Sequence, residues 1–136
     1  MPDYVALLYS IVLPGGRVRM AGLTEMADAL GFEAPRTLLS SGNLVFRSPM
    51  RSVAAIEAKL EVGFAERFGR HVDIIVRAAP DWRLVAANPF PAAAPAQVMV
   101  RVQRDRLGAA VADSLAPALS PGDRVMGVDG DLWVAF

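Results

Sequence analysis

The stretch TLLSSGNLVFR, residues 37–47, is where the fold is most easily recognised in this sequence. Two short runs rich in apolar and β-branched residues, Thr37–Ser40 and Leu44–Arg47, flank the tripeptide Ser41-Gly42-Asn43. Because Gly and Asn tolerate a positive φ, this pattern predicts two antiparallel strands joined by a tight hairpin. The elements before and after the hairpin then decide which fold contains it.

A strand and a helix are predicted before the hairpin. The apolar, β-branched run Tyr4–Leu13 ends at Pro14-Gly15-Gly16, which is typical of a central strand followed by a loop. Apolar residues then recur with the i, i+3, i+4, i+7 spacing of one helix face, namely Leu23, Met26, Ala27 and Leu30. Gly31 is a natural C′ residue for this helix.

A longer helix and a final strand are predicted after the hairpin. Ser48 and Pro49 are suited to the N-cap and N1 positions, and Gly69 is suited to the end of the helix. Val72–Val76 is rich in β-formers and predicts a strand. One helix face is apolar, formed by Val53, Ile56, Leu60, Phe64 and Phe68. Residues 1–77 therefore predict the β-α-β-β-α-β order of a ferredoxin-like plait, in the α+β class.

Residues 78–136 predict a second, incomplete βαββ half preceded by a short helix. The helix Pro80–Ala87 is stopped by Asn88-Pro89, and alternation predicts a half-buried strand over residues 98–103. Two strands, Arg124–Val128 and Leu132–Phe136, flank the hairpin signal Asp129-Gly130. A helix is predicted between the strand at residues 98–103 and this pair of strands. It is marked by Leu107, Val111 and Leu115 and ended by Pro117. We expect the two halves to pack as one compact unit.

The second half ends without the helix and strand that would complete a plait. The apolar strand Leu132–Phe136 then lacks a covering helix, and apolar surface of this kind usually finds a partner. Strands near a sheet edge also pair across subunits. We therefore expect a homodimer formed through residues 98–136.

Composition narrows the possible functions. The 136 residues carry 14 basic and 14 acidic side chains, without the basic excess typical of nucleic-acid binders. There is no cysteine, which excludes disulfides, iron–sulfur clusters and thiolate zinc sites. The longest apolar run is too short to span a bilayer. We expect a cytoplasmic protein without a cofactor or a membrane partner.

The loop between the first strand and the first helix is the main candidate site. The backbone N–H groups of Gly15 and Gly16 could approach a small anion, and Arg17 and Arg19 could add forked hydrogen bonds. Ser41 and Asn43 could add a hydroxyl and an amide from the hairpin. The loop matches no established phosphate-binding motif, and Gly-Gly is also common in plain turns.

The other polar residues are weaker candidates for a catalytic or metal-binding site. His71 is the only histidine, and on an extended segment Asp73 would share its face, as in a His–Asp general-base pair. A single histidine cannot form a His-rich metal site, and Asp123, Asp129 and Asp131 lack calcium-loop spacing. The sequence therefore predicts no metal site.

Four segments resemble the uncharacterised family called domain of unknown function 1697. They are Tyr4–Leu8, Met20–Phe32, Ser41–Phe46 and Asn88–Pro91, which follow the order and spacing of the family. The resemblance implies a pair of plait-like halves and brings no established activity. Where the family shows an Arg-Gly-Ile-Asn-Val-Gly-Gly-like loop, this chain has Tyr9–Gly15 instead. The family usually continues for several dozen residues, so we expect a shortened form.

No nucleophile, base and orienter appear together, so the leading hypothesis is a non-enzymatic domain that binds a ligand or partner through a sheet face. One alternative is a nucleic-acid-binding plait that stacks bases on Tyr9 and Phe46. The other is an enzyme that acts on a small anionic substrate at the Gly15–Arg19 loop.

Overall fold

The computed structural model describes residues 1–8, 12–13, 16–38, 43–105, 107–108 and 110–136. The chain divides into two compact units, Met1–Ala79 and Pro80–Phe136. Each unit combines helices with an antiparallel sheet, which confirms the α+β class. No helix in the described part of the chain is both long enough and apolar enough to cross a membrane.

The first unit contains two helices and a four-stranded sheet, with a short two-stranded ladder beside them. Its helices are α1 (Met20–Ala29) and α2 (Val53–Phe68). Its strands are β1 (Asp3–Leu8), β2 (Val12–Leu13), β3 (Gly16–Arg17), β4 (Glu33–Leu38), β5 (Asn43–Arg47) and β6 (Ile74–Ala78). The sheet order is β4-β5-β1-β6 with every neighbour antiparallel, so each helix connects strands that a third strand separates.

The prediction of one strand over Tyr4–Leu13 is wrong. β1 ends at Leu8, where the pairing with Ile74 of β6 ends, and Val12 and Leu13 pair instead with Arg17 and Gly16. Apolar character alone does not distinguish one long strand from a short strand followed by a hairpin.

The core of the first unit lies between the sheet and the two helices. The predicted apolar face of α2 is confirmed, since Ile56, Leu60 and Phe64 are fully buried. On the sheet, alternate residues of β1 and β5 point into the same core, and Tyr4 stacks on Phe46 with ring centroids 5.8 Å apart. The alternation of buried and less buried residues follows from the period of two in a strand.

The ends of the helices follow their capping residues. α1 ends in a Schellman motif, in which the N–H of Gly31 (φ 88°) bonds the carbonyl of Asp28 and the N–H of Phe32 bonds that of Ala27. α2 begins after Ser52, whose Oγ accepts a hydrogen bond from the N–H of Ala55 at 3.1 Å. The predicted N-cap, Ser48, is therefore wrong.

An irregularity interrupts β4, which is an edge strand of the first sheet. The register with β5 shifts between Glu33 and Arg36, and Ala34 has a φ of 48°. Pro35 lies within the shift and has no N–H to donate. β4 therefore offers an incomplete row of backbone groups on its outer side.

The second unit is built around a three-stranded sheet with the order β7-β9-β8. Its strands are β7 (Val98–Arg101), β8 (Arg124–Val128) and β9 (Asp131–Ala135), and its helices are α3 (Ala79–Val85) and α4 (Val111–Leu115). The helix α3 begins one residue before the unit boundary. The hairpin predicted at Asp129-Gly130 is confirmed, with φ values of 49° and 86° that match a type I′ turn.

One face of the second sheet carries a small core. Phe90, Trp133 and Ala135 are buried there, and Val98 and Val100 pack against them. The indole N–H of Trp133 donates to the carbonyl of Val85 at 2.7 Å, which ties α3 to this face. We call this the inner face, and the face that carries Met99, Leu132 and Val134 the outer face.

Candidate functional site

Part of the glycine–arginine loop, Gly15–Arg19, pairs with the backbone that precedes it. Gly15 lies outside the described residues, whereas Gly16 and Arg17 form β3 and pair with Leu13 and Val12. Backbone groups that are used within a hairpin are not available to an anion. The anion site built on the glycine N–H groups stays a prediction.

Arg19 occupies the N-cap position of α1. Its side chain is exposed, no side chain caps the helix at this end, and the first turn contains no acidic residue. The partial positive charge of a helix N-terminus therefore lies next to a basic side chain. This combination attracts anions, but by itself it does not form a binding pocket.

The hairpin candidates lie on a different element. Ser41 is outside the described residues, and Asn43 is the first residue of β5 rather than part of the turn. Asn43 is half-buried and pairs with Leu7 on one side and Leu38 on the other. Its backbone therefore belongs to the middle of the first sheet.

Of the two aromatic residues proposed to stack on bases, Phe46 is the one that the structure describes, and it is buried. The ring of Phe46 is 1% exposed and packs between Tyr4 and Phe32 in the core of the first unit. Tyr9 lies outside the described residues. A base cannot reach Phe46, so the described residues do not support the platform that RNA-recognition plaits use.

The outer face of the second sheet is apolar and only partly covered. Met99 pairs with Val134 across the ladder, so the two side chains share this face. Phe136 follows by alternation, and its N–H continues the ladder by donating to the carbonyl of Gln97 at 2.8 Å. Met99 is 43% exposed and Phe136 is 60% exposed. We call Met99, Val134 and Phe136 the outer strip.

A cavity of about 440 Å³ lies beside the outer strip, between α4 and the strands β8 and β9. It is open to solvent on one side, and its lining is mixed, with both apolar and acidic side chains. Among these are Leu107, Ala112, Asp113, Val125 and Leu132. The helix α4 therefore covers only the part of the outer face that is close to β8.

Three potential metal ligands meet at the end of α2. The Nε2 atom of His71 is 3.1 Å from Oδ1 of Asp73 and 3.7 Å from Oε2 of Glu61. The sequence indicated that His71 and Asp73 share a face, and the two side chains do meet. It did not indicate Glu61, because that residue lies on α2 and approaches only after the chain turns at Gly69 (φ 74°). The only sequence signal for this turn is the helix-ending glycine.

Comparison with known proteins defines the family. The structure resembles that of the conserved bacterial protein SP0830 from Streptococcus pneumoniae, with a TM-score of 0.77 and 22% sequence identity. The match covers 100% of this chain and 77% of that one. No curated protein matches the sequence. The family model described as "Protein of unknown function (DUF1697)" matches residues 1–133. The chain therefore belongs to the DUF1697 family.

Proposed function

We propose that the chain is a non-enzymatic binding domain that pairs with a second copy of itself through the outer strip. The observation that carries this proposal is the apolar row on the outer face of the second sheet, in which Met99 and Phe136 are exposed and Val134 is half-buried. Burial of apolar surface contributes about 25 cal/mol per Å², so such a row gains free energy when a partner covers it.

The edges of the second sheet support pairing between copies. β7 and β8 are both edge strands, each hydrogen-bonded to β9 on one side only within the described ladder. A dimer of ordinary size buries about 800 Å² per partner. The outer strip supplies the apolar centre of such an interface, and the backbone groups of an edge strand can add hydrogen bonds at its border.

Charges beside the outer strip favour a second copy over an unrelated partner. The exposed side chain of Arg101 lies on the outer face at its β7 side, and that of Asp113 lies on α4 at its β8 side. A two-fold axis that runs parallel to the strands brings each patch onto the equivalent patch of the partner with the two sides exchanged. Arg101 of one copy then approaches Asp113 of the other.

The test is the oligomeric state of charged variants. We expect the protein to sediment as a dimer at micromolar concentration, and Met99→Lys and Val134→Lys to shift it to monomer. Val62→Lys is the matched control, since Val62 is 58% exposed on α2 in the other unit. A wild-type protein that remains monomeric, or a control that dissociates equally, contradicts the proposal.

The charge pair gives a second, independent readout. Arg101→Asp and Asp113→Arg are each expected to weaken the dimer, because each places like charges opposite one another. The double variant restores opposite charges and is expected to recover much of the affinity. Failure of the double variant to recover while both single variants fold indicates a different interface.

The two alternatives draw less support from the described residues. An enzyme acting on a small anion at Gly15–Arg19 stays a prediction, and the pairing of Gly16 and Arg17 with β2 reduces its basis. For the nucleic-acid-binding role, Phe46 is not available to stack on a base, because its ring is buried in the core.

No buried polar side-chain atom in the described part of the chain lacks a hydrogen-bond partner. Unsatisfied groups of that kind often mark functional sites.

A further inference from the structure

A mixed cluster of donor atoms lies where α2 connects to β6. Glu61 belongs to the last turns of α2, and its side chain is only 14% exposed. His71 and Asp73 lie on the connection to β6, with side chains that are 66% and 69% exposed. One donor atom from each of the three residues lies within 4.8 Å of the other two. We propose that Glu61, His71 and Asp73 bind a divalent transition-metal ion of the zinc class.

The imidazole of His71 lies close to two carboxylate groups. The Nε2 atom carries one hydrogen at most, and that hydrogen can point well at only one acceptor. Two carboxylate oxygens nevertheless lie near this nitrogen, at 3.1 and 3.7 Å. A cation that lies close to both offsets the repulsion between their negative charges. A metal ion would bind all three donor atoms and offset the charge of both carboxylates.

The donor separations suit a single coordination sphere. Zinc binds nitrogen and carboxylate oxygen at about 2.0–2.2 Å, so two ligands of one tetrahedral ion lie about 3.3–3.6 Å apart. The distances from His71 to Asp73 and to Glu61 lie on either side of this range. Only small rotations of the exposed side chains are needed to equalise them.

The donor types select the class of metal. Magnesium and calcium prefer all-oxygen sites, whereas an imidazole with two carboxylates suits zinc, cobalt or nickel. The largely buried Glu61 holds a fixed position, and the exposed His71 and Asp73 close over the ion from the solvent side. The remaining coordination positions then face water, as they do in open zinc sites.

The first measurement is calorimetric titration of the full chain with ZnCl₂, using protein without an affinity tag. We expect one zinc ion per chain. His71→Ala is expected to lower the affinity more than about tenfold, since even outer-shell partners are often worth that much. Glu61→Gln is expected to weaken binding as well, while Glu66→Gln, an exposed change on the same helix, is expected to leave the affinity within about twofold.

The second measurement uses nuclear magnetic resonance of the imidazole ring. Because His71 is the only histidine among the 136 residues, the two signals of its ring nitrogens are assigned without ambiguity. Coordination is expected to shift the Nε2 resonance in proportion to zinc bound, and excess magnesium is expected not to reverse the shift. An unshifted ring, or His71→Ala and His71→Gln variants that keep wild-type affinity, overturns the proposal.

Discussion

The Oε2 atom of Glu57 on α2 accepts a hydrogen bond from the backbone N–H of Val76 on β6 at 2.8 Å. Both residues are buried, and β6 is an edge strand of the first sheet. The side chain of a core helix therefore satisfies a strand N–H on the side where no strand of the described residues pairs with β6. This places a carboxylate inside the first unit for a structural reason.

Replacing Glu57 with Ala is expected to lower the free energy of unfolding by about 1–3 kcal/mol, because a buried N–H is left without its acceptor. Glu57→Gln keeps an acceptor oxygen and is expected to cost less. The measurement is urea denaturation followed by circular dichroism. The exposed Glu66→Ala on the same helix serves as the control, and an equal loss in the control contradicts this role for Glu57.

The bond between Trp133 and the carbonyl of Val85 gives a prediction for the second unit. Trp133→Phe keeps most of the apolar surface but removes the donor, and the expected loss of stability is about 1–3 kcal/mol. The chain has two tryptophans, so Trp82→Phe is a matched control that leaves Trp133 as the only tryptophan. A similar loss in both variants would point to packing rather than to the hydrogen bond.

Gly63 allows close approach between the two helices of the first unit. A Cβ atom at this position would lie 2.7 Å from Cδ1 of Leu30. Alanine gains about 1 kcal/mol of helix propensity, but overpacking costs about 1–3 kcal/mol, so Gly63→Ala is expected to destabilise slightly. In a Leu30→Ala background the same change is expected to stabilise. The measurement is thermal unfolding of the wild type, the two single variants and the double variant. Additive effects of the two substitutions on stability would contradict the contact.

The observed N-cap of α2 is Ser52, whereas the cap predicted from the sequence is Ser48. Ser52→Ala is expected to cost about 1 kcal/mol, the usual value for a lost cap, and Ser52→Asp is expected to restore it. Ser48 is buried, and its Oγ accepts a hydrogen bond from the N–H of Met50 instead. A stability of Ser52→Ala equal to that of the wild type would contradict this assignment.

The sequence indicates local structure well where one residue type forces the backbone. Asp129-Gly130 predicts its hairpin, and Gly31 predicts the end of α1, because few residues adopt the required positive φ. The buried face of α2 follows equally well from spacing. The extent of the first strand does not, since nothing in the apolar run Tyr4–Leu13 indicates that Val12 and Leu13 pair with β3 rather than with the four-stranded sheet.

The candidate sites were less accessible to sequence reasoning, because they depend on side chains brought together by folding. Glu57 and Val76 are 19 residues apart in the chain, and their hydrogen bond appears only when α2 packs on the sheet. Glu61 approaches His71 for the same reason. The apolar residues of the outer strip were visible as alternation, whereas the partial cover that α4 gives that face was not.

The interruption in β4 affects how the protein behaves at high concentration. A growing cross-β fibril recruits strands through a continuous row of donors and acceptors, and the shift around Pro35 breaks that row on one border of the first sheet. On the opposite border, the carboxylate of Glu57 occupies one of the donors. We therefore expect both borders of the first unit to add strands less readily than the edges of the second sheet do.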